Sequence, residues 1–191
     1  MLKVKSIKPT YLKYHIIGKK VMVITLDYHG FESTIEELLE QCSPFDTILI
    51  KSNQDVFEQI ENLSKLLKEI QKINPFVNFM IETDAKTKPK YLTTIRNLLY
   101  VVKLKHDFVN DMDDKVFKYL AKADTKFIVE LKNIEKLDDV VFVLKGLDIK
   151  NKSVFFDLLN TENFKKDSYI IFTKGYNIFV EYTGDWFESN K

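Results

Sequence analysis

Val21-Met22-Val23-Ile24-Thr25-Leu26, running into Asp27-Tyr28-His29-Gly30 and then into an amphipathic segment, is the stretch that decides the fold. A short apolar run rich in β-branched residues, ended by polar residues and followed by helical periodicity, reads as a strand and helix of a βα unit. The same signal returns at 47–50, 77–81, 100–104, 127–131 and 154–159, each about one βα unit after the last. Such regular alternation predicts an α/β protein built on a parallel sheet.

Working outward, 4–17 has mixed alternation and ends in Gly18-Lys19, suited to a two-residue turn, which predicts a hairpin into 21–26. Ser33 and Glu36 have the spacing of a capping box for a first helix. Val56, Ile60, Leu63, Leu67 and Ile70 form the stripe of a second helix that Asn74-Pro75 stops. Tyr91, Ile95, Leu98 and Leu99 suggest a short third helix. Asp113 or Asp114 caps a fourth, carrying Val116, Leu120 and Ala123. Asn133 caps a fifth, carrying Leu137, Val140, Val141 and Leu144, with Gly146 as its left-handed stop. Beyond Asn160 the alternation fails, and 169–173 and 178–182 around Lys174-Gly175-Tyr176-Asn177 read as a C-terminal hairpin, with Trp186 and Phe187 in the tail. The expected organisation is one domain over 1–191: an N-terminal hairpin arm at 1–20, βα units at 21–159, and a C-terminal hairpin and tail at 160–191.

The 191 residues suffice for a core that folds without staples. A formal net charge of +1 supplies no broad basic field, and Arg96 is the only arginine, so nucleic acid is not an expected partner. The single cysteine, Cys42, follows Ile35, Leu38 and Leu39 on a helical apolar stripe and reads as a core residue. One thiol provides neither a disulfide within the chain, nor a cysteine-rich zinc site, nor the several thiolates of an iron-sulfur cluster. The opening residues have no apolar signal core, and no segment approaches the ~20 apolar residues of a membrane span, so a soluble cytoplasmic protein is expected.

In parallel α/β proteins, ligands bind at the carboxyl ends of the strands, where the βα loops gather and helix N-termini point their amides. Those ends carry Asp27 and His29, then Lys51 and Asn53, then Glu82, Thr83 and Asp84, then His106, then Glu130 and Lys132. These ten are the expected ligand-binding residues. The favoured expectation is a polar rim that caps strands and loops and binds a small molecule without a cofactor. The alternative is a divalent metal on Asp27, His29, Glu82, Asp84 and His106, serving a hydrolase or lyase. His15, in the N-terminal hairpin, reads as a strand residue. Lys103, Lys105 and Lys132 are suited either to Schiff-base chemistry or, more commonly, to ion pairs with Glu82 or Glu130. No glycine-rich phosphate loop occurs.

Asp46-Thr47-Ile48-Leu49-Ile50-Lys51-Ser52, the helix through Leu63, Leu66 and Leu67, and Phe79-Met80-Ile81-Glu82-Thr83-Asp84 together resemble the compact radical SAM proteins. The likeness is to the group of 7-carboxy-7-deazaguanine synthase and the ribonucleotide-reductase activases. Glu82-Thr83-Asp84-Ala85 stands where that family has E-T-N-G, Lys51-Ser52-Asn53-Gln54 replaces its G-G-E-P, and the loop 27–33 lacks its three cysteines. The resemblance implies a partial (β/α) barrel of about six parallel strands that has lost its cluster, and with it reductive cleavage of S-adenosylmethionine. A non-redox small-molecule-binding or regulatory protein is the expected function. A structural subunit, forming a homodimer or meeting a protein partner through the C-terminal hairpin, is a further alternative.

Overall fold

In a computed structural model the chain is a mixed α/β protein with mostly parallel strands, described for residues 1–10, 21–105, 113–131, 133–147, 149, 152–158 and 164–179. It forms two compact units. The described part of the first lies in Met1–Thr83 and Pro89–Leu99, that of the second in Asp84–Lys88 and Tyr100–Val180. The expected Gly18-Lys19 turn, His15, His106, Lys132, Trp186 and Phe187 lie outside the described residues.

The first unit orders its strands β3-β1-β2-β4-β5, with β1 Leu2–Thr10, β2 Val21–Leu26, β3 Phe31–Ser33, β4 Thr47–Ser52 and β5 Asn78–Thr83. The N-terminal pairing is as expected: β1 runs antiparallel to β2, from Val4 opposite Leu26 to Thr10 opposite Val21, with a register shift between Val4 and Ser6. β2, β4 and β5 are mutually parallel. All six residues of β2 are buried, so both of its faces are covered, which explains the unbroken apolar run.

Two helices, α1 (Ile35–Cys42) and α2 (Ile60–Ile73), pack on each other in this unit. The capping box of α1 falls one residue later than the sequence suggested. Thr34 Oγ1 accepts from the Glu37 N–H at 3.2 Å, and Glu37 Oε2 accepts from the Thr34 N–H at 2.9 Å. Ser33 is unavailable because it closes β3, buried opposite Leu2. Asp55 accepts from the Phe57 N–H at 2.9 Å and starts a 3-10 turn at Val56–Gln59. That turn holds Val56 of the expected stripe and feeds α2, which buries Leu63, Leu67 and Ile70 of it together with Leu66, while Ile60 is half-buried.

The expected third helix does not form. Leu98 and Leu99 instead open β6 (Leu98–Leu104), and Tyr91 and Asn97 adopt left-handed φ angles of 64° and 52° that no helix interior accepts. The segment before β6 is pinned to α2 instead. Ser64 Oγ donates to the Tyr91 carbonyl at 2.9 Å, while the Gln71 side chain donates to the Arg96 carbonyl at 3.1 Å and accepts from its N–H at 3.3 Å. Leu92 and Ile95 are buried, so the apolar spacing reflects loop anchors rather than a helical stripe.

The second unit orders β6, β7 (Thr125–Glu130), β8 (Ser153–Asp157) and β9 (Asn177–Phe179) side by side, all parallel. Its helices are α3 (Asp114–Lys122), α4 (Leu137–Gly146) and α5 (Phe164–Thr173). Asp113 caps α3, accepting from the N–H groups of Lys115 at 2.8 Å and Val116 at 3.1 Å. These bonds, that of Val116 foremost, hold its carboxyl below the usual range. Asn133 caps a 3-10 turn at Ile134–Lys136 that leads into α4. Gly146 is not a left-handed stop: it lies in the last turn of α4, which ends as the Leu147 N–H bonds the Leu144 carbonyl at 3.2 Å.

The expected C-terminal hairpin is replaced by another βα unit. Residues 169–173 belong to α5, and β9 runs parallel to β8. Fully buried Ile171 anchors the helix, and Gly175, at φ +80°, ends it. The Gly175 N–H bonds the Phe172 carbonyl at 2.9 Å and the Tyr176 N–H reaches back to the Ile171 carbonyl at 3.1 Å, the paired bonds of a Schellman motif. The glycine read as a hairpin turn is a helix stop. Gly175→Ala is therefore expected to destabilise the protein by about 1–2 kcal/mol in urea unfolding, and Gly175→Asn by clearly less, since asparagine tolerates the left-handed region. A neutral alanine variant would contradict this helix end.

Candidate ligand site at the strand ends

The carboxyl ends of β2 and β4 lie in one register, with Thr25 beside Lys51 and Leu26 beside Ser52. Because Ile50 pairs with Ile81, the next residues, Lys51 and Glu82, continue the row begun by Thr25. Register neighbours in parallel strands share a sheet face, so the row brings Lys51 and Glu82, both half-buried, to one side. Ser52 belongs to the other row, and its Oγ donates to the Leu26 carbonyl at 3.1 Å while accepting from the Gln54 N–H at 3.1 Å.

The loop after β2 is a hydrogen-bonded turn. Asp27 Oδ1 accepts from the His29 N–H at 2.9 Å, and the Gly30 N–H bonds the Asp27 carbonyl at 3.0 Å. Gln54 Oε1 accepts from the Tyr28 N–H at 3.3 Å, tying this loop to the one after β4. Gln59 grips β1: its Oε1 accepts from the Lys3 N–H at 2.7 Å and its Nε2 donates to the Lys3 carbonyl at 3.0 Å, which also accepts from the Asp27 N–H at 3.1 Å. A side chain at Gly30 has no room, since a Cβ there would lie 2.3 Å from the Val4 carbonyl oxygen.

Tyr28, His29 and Asn53 project from this braced rim with exposed side chains. The Tyr28 ring meets the His29 ring edge-on at 5.7 Å and carries the Lys3 ammonium 4.7 Å from its centroid. Asp27 and His29 therefore do come together, as a turn whose carboxylate is committed to a backbone N–H. Thr83 is buried, and neither it nor Glu82 is free of a partner.

In the second unit, Asp84 pairs with Lys86 at 3.2 Å, beside Ala85 at φ 63°. Glu130 stands in register with Asp157 at the ends of β7 and β8; both are half-buried and partnered. Burial, aided by Tyr119, pushes the Tyr100 hydroxyl up, and burial lowers Lys126 against the opposing pull of Asp124. Both sit towards the amino ends of their strands. Among the described residues no group of three or more histidines, cysteines or acids is disposed to hold a metal ion, and no helix is long and apolar enough to cross a membrane.

Of the residues expected at the strand ends, Asp27, His29, Lys51, Asn53 and Glu82 fall in this region; Lys3, Gln54 and Gln59, whose bonds span 26 and 56 residues, were not among those expected. A local clue existed only for Gln54, a polar residue two positions beyond a strand end. Comparison with known proteins returned no matching family model and no match among curated proteins.

Cys42 ends α1 with no exposed surface, and burial pushes its thiol up to about 12. It is expected to resist alkylation in the native protein. Cys42→Ser is expected to cost about 1–3 kcal/mol of stability, because the hydroxyl enters an apolar site. Rapid labelling of the native thiol would contradict the packing described.

Proposed function

We propose that the protein is a non-redox small-molecule-binding protein of the cytoplasm whose ligand sits on the rim at the carboxyl ends of β2, β4 and β5. The observation that carries this reading is the bracing of two βα loops by Ser52 and Gln54, with Gln59 clamping β1 at Lys3, while Tyr28, His29 and Asn53 remain exposed. A preorganised set of polar and aromatic groups lowers the entropy lost on binding. Lys51 adds a half-buried positive charge and Glu82 a carboxylate in the same row, which suits a polar, uncharged or zwitterionic ligand.

Descent from the compact radical SAM fold, without its cluster, is part of the proposal. Two features support it. Within each unit the parallel strands follow one another in sequence order without the reversal that marks doubly wound sheets, an order that a partial (β/α) barrel would share. The only cysteine is buried in α1, away from the loop after β2.

A second reading, a protein-interaction module, draws on Phe142 of α4 and Tyr169 and Phe172 of α5, which expose 79%, 71% and 63% of their surface. The metal-dependent hydrolase or lyase has no comparable support. Native mass spectrometry of freshly purified protein is expected to show a discrete copurified mass that disappears in a His29→Ala, Asn53→Ala double variant of unchanged melting temperature. A bare chain mass throughout, with dimers dispersed by Phe172→Glu, would replace the binding reading with the interaction module.

A further inference from the structure

A cavity of about 500 Å³ opens in the second unit, at the amino ends of β8 and β9 rather than at the carboxyl ends where ligands of parallel sheets are sought. Its apolar floor is Val141 and Leu144 of α4 with Ile149 and Val154, and the first three of these are buried. This volume falls within the range of small-ligand sites, ~300–1,000 Å³. Lys145, Lys152 and Asn177 supply polar groups at its edge, and no carboxylate occurs among its described lining residues.

The plainest account of two lysines here is that they complement helix C-termini, since α4 and α5 both end at this cavity. Magnitudes argue that this does not exhaust them. Each helix end contributes about half a negative charge at most, against two full ammonium charges. The terminal carbonyls are also partly satisfied: Leu144 by the Leu147 N–H, Phe172 by Gly175 and Ile171 by Tyr176. Lys152 is held in place as well, because its Nζ donates to the Ala123 carbonyl, leaving further N–H donors for a ligand. The result is an anchored lysine among the residues that line an apolar floor.

We propose that this cavity binds an amphipathic carboxylate, a small apolar body bearing one anionic head, with Lys152 and Lys145 meeting the head and the Val141, Leu144, Ile149 and Val154 floor taking the body. The site is separate from the rim proposed above and does not depend on it.

Octanoate is the probe, titrated into the full-length protein by calorimetry and followed by amide NMR, with octanol as the uncharged control. Saturable binding at one site per chain is expected, with shifts centred on Leu144, Val154 and Tyr176, and octanol is expected to bind at least about tenfold more weakly. Lys145→Met, which leaves the Lys152 to Ala123 bond intact, is expected to weaken octanoate severalfold, and Lys152→Met to weaken it further if that variant folds. Equal affinity for octanol, no saturable binding up to about 10 mM, or unaltered affinity in folded Lys145→Met would overturn the proposal.

Discussion

Burying both faces of β2 leaves its backbone N–H and C=O groups no partners except the neighbouring strands, and the first unit is organised by that constraint. β1 satisfies one edge of β2 in antiparallel register and β4 satisfies the other in parallel register. A slip of one residue would exchange its two buried faces, and each would then meet the packing built for the other. With that register fixed, Lys51 and Ser52 must emerge level with Thr25 and Leu26, and the loops that follow begin side by side.

The polar rim is a consequence of this alignment. Where the ladder ends, Ser52 takes up the Leu26 carbonyl, Gln59 takes up the backbone of Lys3, and Gln54 takes up the N–H of Tyr28. Groups that would otherwise be lost to water at the sheet's margin instead brace the loops. Gly30 completes the arrangement by letting the turn after β2 approach the Val4 backbone. The exposed Tyr28 and His29 side chains are thus carried by a hydrogen-bonded turn, the feature on which the proposed binding rests.

Parallel strands were legible because their β-branched runs are continuous and buried, as in β2 and β4. The starts of α3 and of the 3-10 turn that leads into α4 were legible from Asp113 and Asn133, whose side chains act locally. Legibility failed where distant packing overrode local pattern. Tyr91, Ile95, Leu98 and Leu99 have helical spacing, yet Ser64 and Gln71 of α2 hold the first part of that segment as an irregular anchor and the last two residues enter β6. Tyr169, Ile170, Ile171 and Phe172 have strand propensity, yet burial of Ile171 and the Gly175 stop make them helix. Of the candidate site, the residues adjacent to strand ends could be read directly. Those that position them could not, because Lys3 and Gln59 meet only after folding.

Native-state hydrogen exchange on β2 and β4 tests the central constraint most directly. If the buried, doubly paired strand organises the unit, the amides of Ile24 and Leu49 exchange only through global unfolding, with protection that follows the free energy measured in denaturant. Exchange of these amides as fast as those of Lys86 or Thr94 in the loop region before β6, with global stability unchanged, would contradict the account.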